Sequence, residues 1–185
     1  VKSLGSADAH IVAKATVGGG DLLADVDAKI DGLGFGKYRY HDIKVDGTVD
    51  GTEYSVVVNS ADQNLELDLY GAMSLGEERP TYDFSVDMRR ADLHALGINR
   101  RDSVSVISAM LGARAEGKSI DEMDGGVSIA DVIYRYADKE LATDRLTVEL
   151  SGGDSSRSVV LGSEFVDLQF QSRLGYRDIF KYIYN

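Results

Sequence analysis

Leu65-Glu66-Leu67-Asp68-Leu69-Tyr70-Gly71-Ala72-Met73 decides the fold. Small or apolar residues hold every second position, with Glu66, Asp68 and Tyr70 between them. Successive side chains of an extended strand point to opposite faces, so a period of two gives this segment one apolar side and one wet side. Downstream, Tyr82, Phe84, Val86 and Met88 alternate with Asp83, Ser85, Asp87 and Arg89. Upstream, Tyr54, Val56 and Val58 keep the period, as do Ile43, Val45, Gly47 and Val49 against Lys44, Asp46, Thr48 and Asp50. Leu22, Ala24, Val26, Ala28 and Ile30 face one way while Asp21, Asp25, Asp27, Lys29 and Asp31 face the other, and an earlier strand, Ile11 to Val17, turns at Gly18-Gly19-Gly20.

The second half repeats the first. Ser55-Val56-Val57-Val58-Asn59-Ser60 returns as Ser158-Val159-Val160-Leu161-Gly162-Ser163, and Glu66-Leu67-Asp68-Leu69 returns as Asp167-Leu168-Gln169-Phe170. Asp25 to Asp46 has a weaker echo in Asp124 to Glu149, each with paired tyrosines, Tyr38/Tyr40 and Tyr134/Tyr136. Val127 and Ile129, then Leu146, Val148 and Leu150, complete the second unit. The reading is an all-β chain of about a dozen strands in antiparallel sheet. It forms one continuous segment over residues 1–185, built from two approximate repeats near 22–120 and 121–176. Repeats of this kind build extended surfaces more readily than a single pocket.

Two stretches fit more than one pattern. Ala91 to Ile98 suits a helical turn with Leu93 and Leu96 inward. Asp102 to Gly117 fits a helix or a strand, and its Val, Ser and Gly content favours the strand. Asp178 to Asn185 places Ile179, Phe180 and Ile183 at helical spacing, as the start of a helix. The chain begins at Val1 in mid-pattern and reads as a piece of something larger.

Composition excludes several functions. A net charge of −11, with no basic stripe beyond Arg89-Arg90 and Arg100-Arg101, argues against nucleic acid as a partner. The absence of cysteine removes disulfides, thiol catalysis and Cys-based metal sites. No apolar run reaches the roughly 20 residues of a membrane-spanning helix. His10, His41 and His94 are scattered among polar residues and read as surface histidines. The acidic pairs Asp25/Asp27 and Asp46/Asp50 fail the EF-hand pattern, since Lys29 and Ile30 stand where that loop needs an oxygen ligand and a glycine. Gly32, Gly34 and Gly36 form a turn between strands; they lack the G-x-G-x-x-G spacing and a following helix. No G-x-S-x-G elbow occurs. The expectation is a non-enzyme with no metal and no cofactor.

What remains is the apolar face. A β-sandwich, in which two such faces close on each other, explains the same stripe. Periodicity does not separate a face packed on protein from one packed on lipid.

The phrases Tyr40-His41-Asp42-Ile43-Lys44-Val45-Asp46-Gly47, Leu65-Glu66-Leu67-Asp68-Leu69-Tyr70-Gly71 and Phe84-Ser85-Val86-Asp87-Met88-Arg89-Arg90-Ala91-Asp92-Leu93 occur in that order. Asp102-Ser103-Val104-Ser105-Val106, Ile120-Asp121-Glu122-Met123-Asp124-Gly125-Gly126-Val127-Ser128-Ile129 and Ser163-Glu164-Phe165-Val166-Asp167-Leu168 follow. Together they resemble the C-terminal region of the TamB branch of the AsmA-like envelope proteins, over nearly the whole chain. The resemblance carries no catalytic motif and implies an architecture: an elongated, curved half-pipe, apolar inside and charged outside. It further implies a periplasmic location within a protein anchored in the inner membrane, and a role in phospholipid transport to the outer membrane and in outer-membrane biogenesis. A TamA-like outer-membrane barrel is the implied partner, reached through parts of the parent protein outside this chain.

Under that expectation the partners are phospholipid acyl chains. The groove lining is Val26, Ile30, Ile43, Val45, Val56, Val58, Leu65, Leu67, Leu69, Phe84 and Val86, then Val127, Ile129, Leu146, Val148, Val159, Leu161, Leu168 and Phe170. A dozen strands at about 4.8 Å spacing would extend such a groove by roughly 55 Å. Exposing an acyl chain of about 16 carbons to water costs on the order of 12 kcal/mol, at about 0.8 per CH₂. The alternatives are a scaffold that holds unfolded outer-membrane strands on its sheet edges by β-strand addition, and a closed β-sandwich binding module.

Overall fold

The computed structural model describes residues 4–76, 78–152 and 157–173. Twelve strands follow one another: β1 Leu4–Gly18, β2 Asp21–Phe35, β3 Tyr38–Tyr40, β4 Ile43–Asp50, β5 Glu53–Asp62 and β6 Leu65–Ser74. Then come β7 Thr81–Asp92, β8 Ser105–Glu116, β9 Asp124–Tyr136, β10 Lys139–Gly152, β11 Arg157–Ser163 and β12 Asp167–Ser172. They form one antiparallel sheet in chain order, β1-β2-β4 through to β12, with β3 set aside on the end of β2. The sheet is open, not closed into a barrel, and has the form of a curved groove. Eleven strands lie abreast, so the sheet is about 48 Å across at ordinary strand spacing, a little short of the sequence expectation because β3 adds no width.

Each connection is short, as antiparallel neighbours allow. The β1–β2 hairpin turns through Gly19 and Gly20 at φ of 67° and 100°, where a side chain would be strained. Between β2 and β1 an extra residue, Asp31, is looped out: Ile30 faces Ala9 while Gly32 faces Asp8. This bulge exchanges the two faces of β2 beyond Asp31. Leu33 and Phe35, with their partners Tyr40 and Tyr38 on β3, are thereby brought to the side that carries Ile30.

The ambiguous stretches resolve on backbone hydrogen bonding. Residues of Asp102 to Gly117 enter β8, paired to β7 on one side and β9 on the other. After β7, the chain makes a helical turn in which Leu96 N donates to Asp92 O at 2.9 Å and Leu96 is buried. One turn of 3-10 helix, Ile120–Glu122, precedes β9. The segment Asp178 to Asn185 lies outside the described residues.

The sheet has no second layer among the described residues. Substantial contacts between elements all run between sheet neighbours, and among the described residues the buried apolar ones are Ala28, Ala91, Leu96 and Ala109. A domain ordinarily buries one sheet face against another layer. The sandwich alternative requires such a layer, and the described residues form a single sheet instead.

The repeated phrases occupy matching places. Ser55–Ser60 lies in β5 and Ser158–Ser163 in β11, each followed by a strand that carries the second phrase. The tyrosine pairs differ: Tyr38/Tyr40 opens a strand after a turn, and Tyr134/Tyr136 ends one before a turn.

Candidate functional site: the apolar face

Cross-strand pairing sets which side chains share a face. Starting from Ala13 of β1, the register runs through Val26, Gly47, Val56, Gly71, Phe84, Ala113, Val127, Val148, Leu161 and Leu168. That row crosses every strand of the path and contains no polar side chain. A second row joins Ala28, Val45, Val58, Leu69, Val86, Leu111, Ile129 and Leu146. A third passes from Ala24 through Val49, Tyr54, Met73, Tyr82, Ala115, Gly125, Leu150 and Val159 to Phe170. Ile30, Ile43 and Leu67 share a fourth row with Ser60, and Leu65 lies beyond them opposite Asp62 and Ala91.

All nineteen residues expected from the sequence to line a groove therefore stand on one face. The expected lining did not include Ala13, Val49, Tyr54, Met73, Tyr82, Ala113 and Leu150, which the register adds, although the period of two had already set Val49, Tyr54, Met73, Tyr82 and Leu150 on the apolar side of their strands. Most of these side chains are half-buried, shielded by lateral neighbours; Val26, Val127, Leu168 and Phe170 are more exposed.

Glycines shape the floor. Gly71 sits opposite Phe84, and a Cβ built there would come within 2.8 Å of the Phe84 ring. The ring lies across the glycine, filling the space a side chain would take. Beside it, Tyr82, Phe84, Ala113, Ala115, Val127, Val148 and Leu150 surround a cavity of about 310 Å³, with Met123 from the β8–β9 connection contributing to its lining. That volume is at the small end of known ligand sites.

The opposite end of the same face stops in polar knots. Asp62, only 2% exposed, accepts hydrogen bonds from the Tyr38 hydroxyl at 2.7 Å, from His41 N at 2.8 Å and from Asn64 N at 2.8 Å. The Asn64 side-chain amide donates to the Tyr38 oxygen at 3.0 Å. Burial, and then the Asp62 carboxylate, hold the Tyr38 hydroxyl above the ordinary tyrosine pKa. Burial and the charge of Asp62 act in the same way on Tyr40. Farther along this end, fully buried Ser105 bonds the Tyr134 hydroxyl at 3.0 Å, and Asn99 Nδ2 donates to Ser105 Oγ at 3.0 Å. Tyr38 and Tyr40 meet edge to face at 4.8 Å, and Tyr134 and Tyr136 stack at 5.3 Å. The paired tyrosines were the only trace of these knots in the sequence.

The other face is charged. Arg89 is its best-connected cation: Nε donates to Glu66 at 2.8 Å and Nη1 to Asp68 at 2.6 Å. Arg89, and secondarily Asn59, hold the Asp68 carboxyl below its usual pKa. Arg114 pairs with Asp83 at 3.0 Å and Lys29 with Asp31 at 2.8 Å, the latter raising the ammonium pKa. His10 and His94 are exposed, and exposed His41 places Nδ1 3.0 Å from the Asp31 carbonyl oxygen. Among the described residues no cluster of His, Asp and Glu could hold a metal ion. Every buried side-chain polar atom there has a partner.

The arrangement thus offers apolar shielding on one side and solvation on the other. Comparison with known proteins finds no family model, no curated protein and no solved structure that matches the chain.

Proposed function

We propose that the chain is a segment of a lipid-shielding groove of the kind its sequence resembles, TamB-like and non-enzymatic. In this reading it belongs to a periplasmic, inner-membrane-anchored envelope protein. It covers phospholipid acyl chains in transit between the inner and outer membranes, in support of outer-membrane biogenesis. The observation that carries the reading is the uninterrupted apolar row from Ala13 to Leu168 on a sheet with no second layer among the described residues.

Shielding a lipid tail requires continuous cover. A tail in contact with water at any point along its path loses about 0.8 kcal/mol per exposed CH₂. A row that crosses every strand of the path without a polar side chain, flanked by further apolar rows, keeps that cost low along the tail. A lining without directional bonds also creates no deep local minimum in which a sliding tail would stall. The charged face keeps such a surface dispersed in water.

The test is lipid extraction from the gently purified protein and from the Leu67→Asp/Phe84→Asp variant. Both substitutions fall on half-buried positions of the open face, so strand content by circular dichroism should hold. Bound phospholipid should fall to background. Wild-type amounts of phospholipid in the folded double variant would refute the proposal.

A further inference from the structure

We infer that the β7–β8 connection carries a headgroup site, in which Arg100 and Arg101, with Lys139 of β10, hold the phosphate of an amphiphile whose tail lies on the apolar face. This site rests on the groove reading proposed above and adds to it a place and a charge for the head.

The connection, residues 93–104, lies on the apolar side of the sheet. Alternate residues of β8 from Ser105 to Ala113 share one face. Ile107, Leu111 and Ala113 pair on that face with Tyr134, Ile129 and Val127. Asn99 Nδ2 meets Ser105 Oγ at 3.0 Å and the Tyr134 hydroxyl at 3.3 Å, so Asn99 approaches from the apolar side. The backbone of the connection is tied to itself. Ile98 N and Asn99 N both donate to Leu93 O, at 2.8 and 2.9 Å, and Arg101 N donates to Asn99 Oδ1 at 2.9 Å. The two arginines are therefore carried on a hydrogen-bonded turn at the polar end of the groove.

Charge selects the ligand. The chain has a net charge of −11, and Arg39, Arg79, Arg89, Arg90, Arg114 and Arg135 each form an ion pair with one of its acids. Arg100 and Arg101 are exposed, adjacent and without an ion pair among the described residues. Lys139 faces the same side. It stands opposite Tyr136, which stands opposite Ser105, and its Nζ is 6.0 Å from the centroid of the Tyr136 ring. Of the acids in the β7–β8 and β9–β10 connections, Asp102 accepts from Asn99 at 3.2 Å and Asp138 is exposed. Cations gathered at one place repel each other, and a bound anion relieves that repulsion. The planar fork of arginine suits a phosphate. Ile98, 59% exposed, and Val104, 44%, flank the arginines and offer apolar contact to the first carbons of a tail.

Displacement of a neutral fluorescent dye, N-phenyl-1-naphthylamine, from the purified chain can compare decyl phosphate with decanol, which carry the same tail. Decyl phosphate should compete at about tenfold lower concentration. Arg100→Gln/Arg101→Gln/Lys139→Gln should erase that advantage and leave decanol unchanged. Lys14→Gln/Lys44→Gln/Arg145→Gln, an equal loss of charge on the polar face, should keep it. Equimolar inorganic phosphate should not weaken the binding of decyl phosphate. Circular dichroism of each variant keeps a folding defect apart from a binding defect. Equal competition by the two amphiphiles in the wild type would overturn the inference. So would an advantage that survives in the first folded variant or vanishes in the second, or competition by inorganic phosphate, which would make the site one for the free ion. The groove reading fails differently: decanol then displaces no dye from any variant, and the headgroup site falls with it.

Discussion

The two ends of the apolar face stop in different ways. At one end the row of Tyr82 and Phe84 borders an apolar cavity partly lined by Met123. At the other, the Tyr38–Asp62–Asn64 and Asn99–Ser105–Tyr134 knots bury polar groups that bond one another, nearby backbone and the Asp102 carboxylate. A sheet without a second layer cannot draw its stability from a deep core. The contrast teaches that this one anchors its strands at one end with buried hydrogen bonds and holds an apolar-lined cavity at the other.

The contrast is sharpened most by Asp62→Leu set beside Phe84→Ala. Losing Asp62 strips acceptors from three donors at a buried site, which should cost about 3 kcal/mol. Phe84 is only half-buried, so its truncation should cost about 1 kcal/mol, well under the 3–5 of a core phenylalanine. Urea titrations of both variants measure the difference. Equal costs would erase the distinction between the fastened end and the cavity end.

A smaller effect follows from the tyrosines of the polar end. With the folded-state pKa values of Tyr38 and Tyr40 raised, the unfolded chain releases these protons first, near pH 10. Their contribution is complete below that pH and is lost as pH rises toward the folded values, beyond which it stays lost. Tyr38→Phe should flatten part of the alkaline fall in stability, measured by urea titration across that pH range. The smallest effect belongs to the charged face: Arg89→Ala should change stability little, and high salt should abolish even that difference, because every partner of Arg89 is exposed.

The strands and the shared face were legible in the sequence because a period of two is a local property. Leu67 and Phe84 can be assigned to one side without knowing what either touches. β8 was harder, since its run of Ala, Gly and Ser fits both periods, and only pairing to β7 and β9 decides it. The polar knots could not be read at all: Tyr38 and Asp62 are 24 residues apart, and their meeting depends on the bulge at Asp31, which no residue pattern announces. Whether the apolar side is covered is likewise a property of the whole sheet, not of any strand.

Native mass spectrometry of the gently purified protein tests most directly whether that apolar side, uncovered among the described residues, holds lipid. The expected spectrum carries species heavier than the chain by phospholipid masses, which collisional activation removes while the chain stays intact. A spectrum of bare chain alone, obtained under conditions that keep lipid on a known carrier, would contradict it.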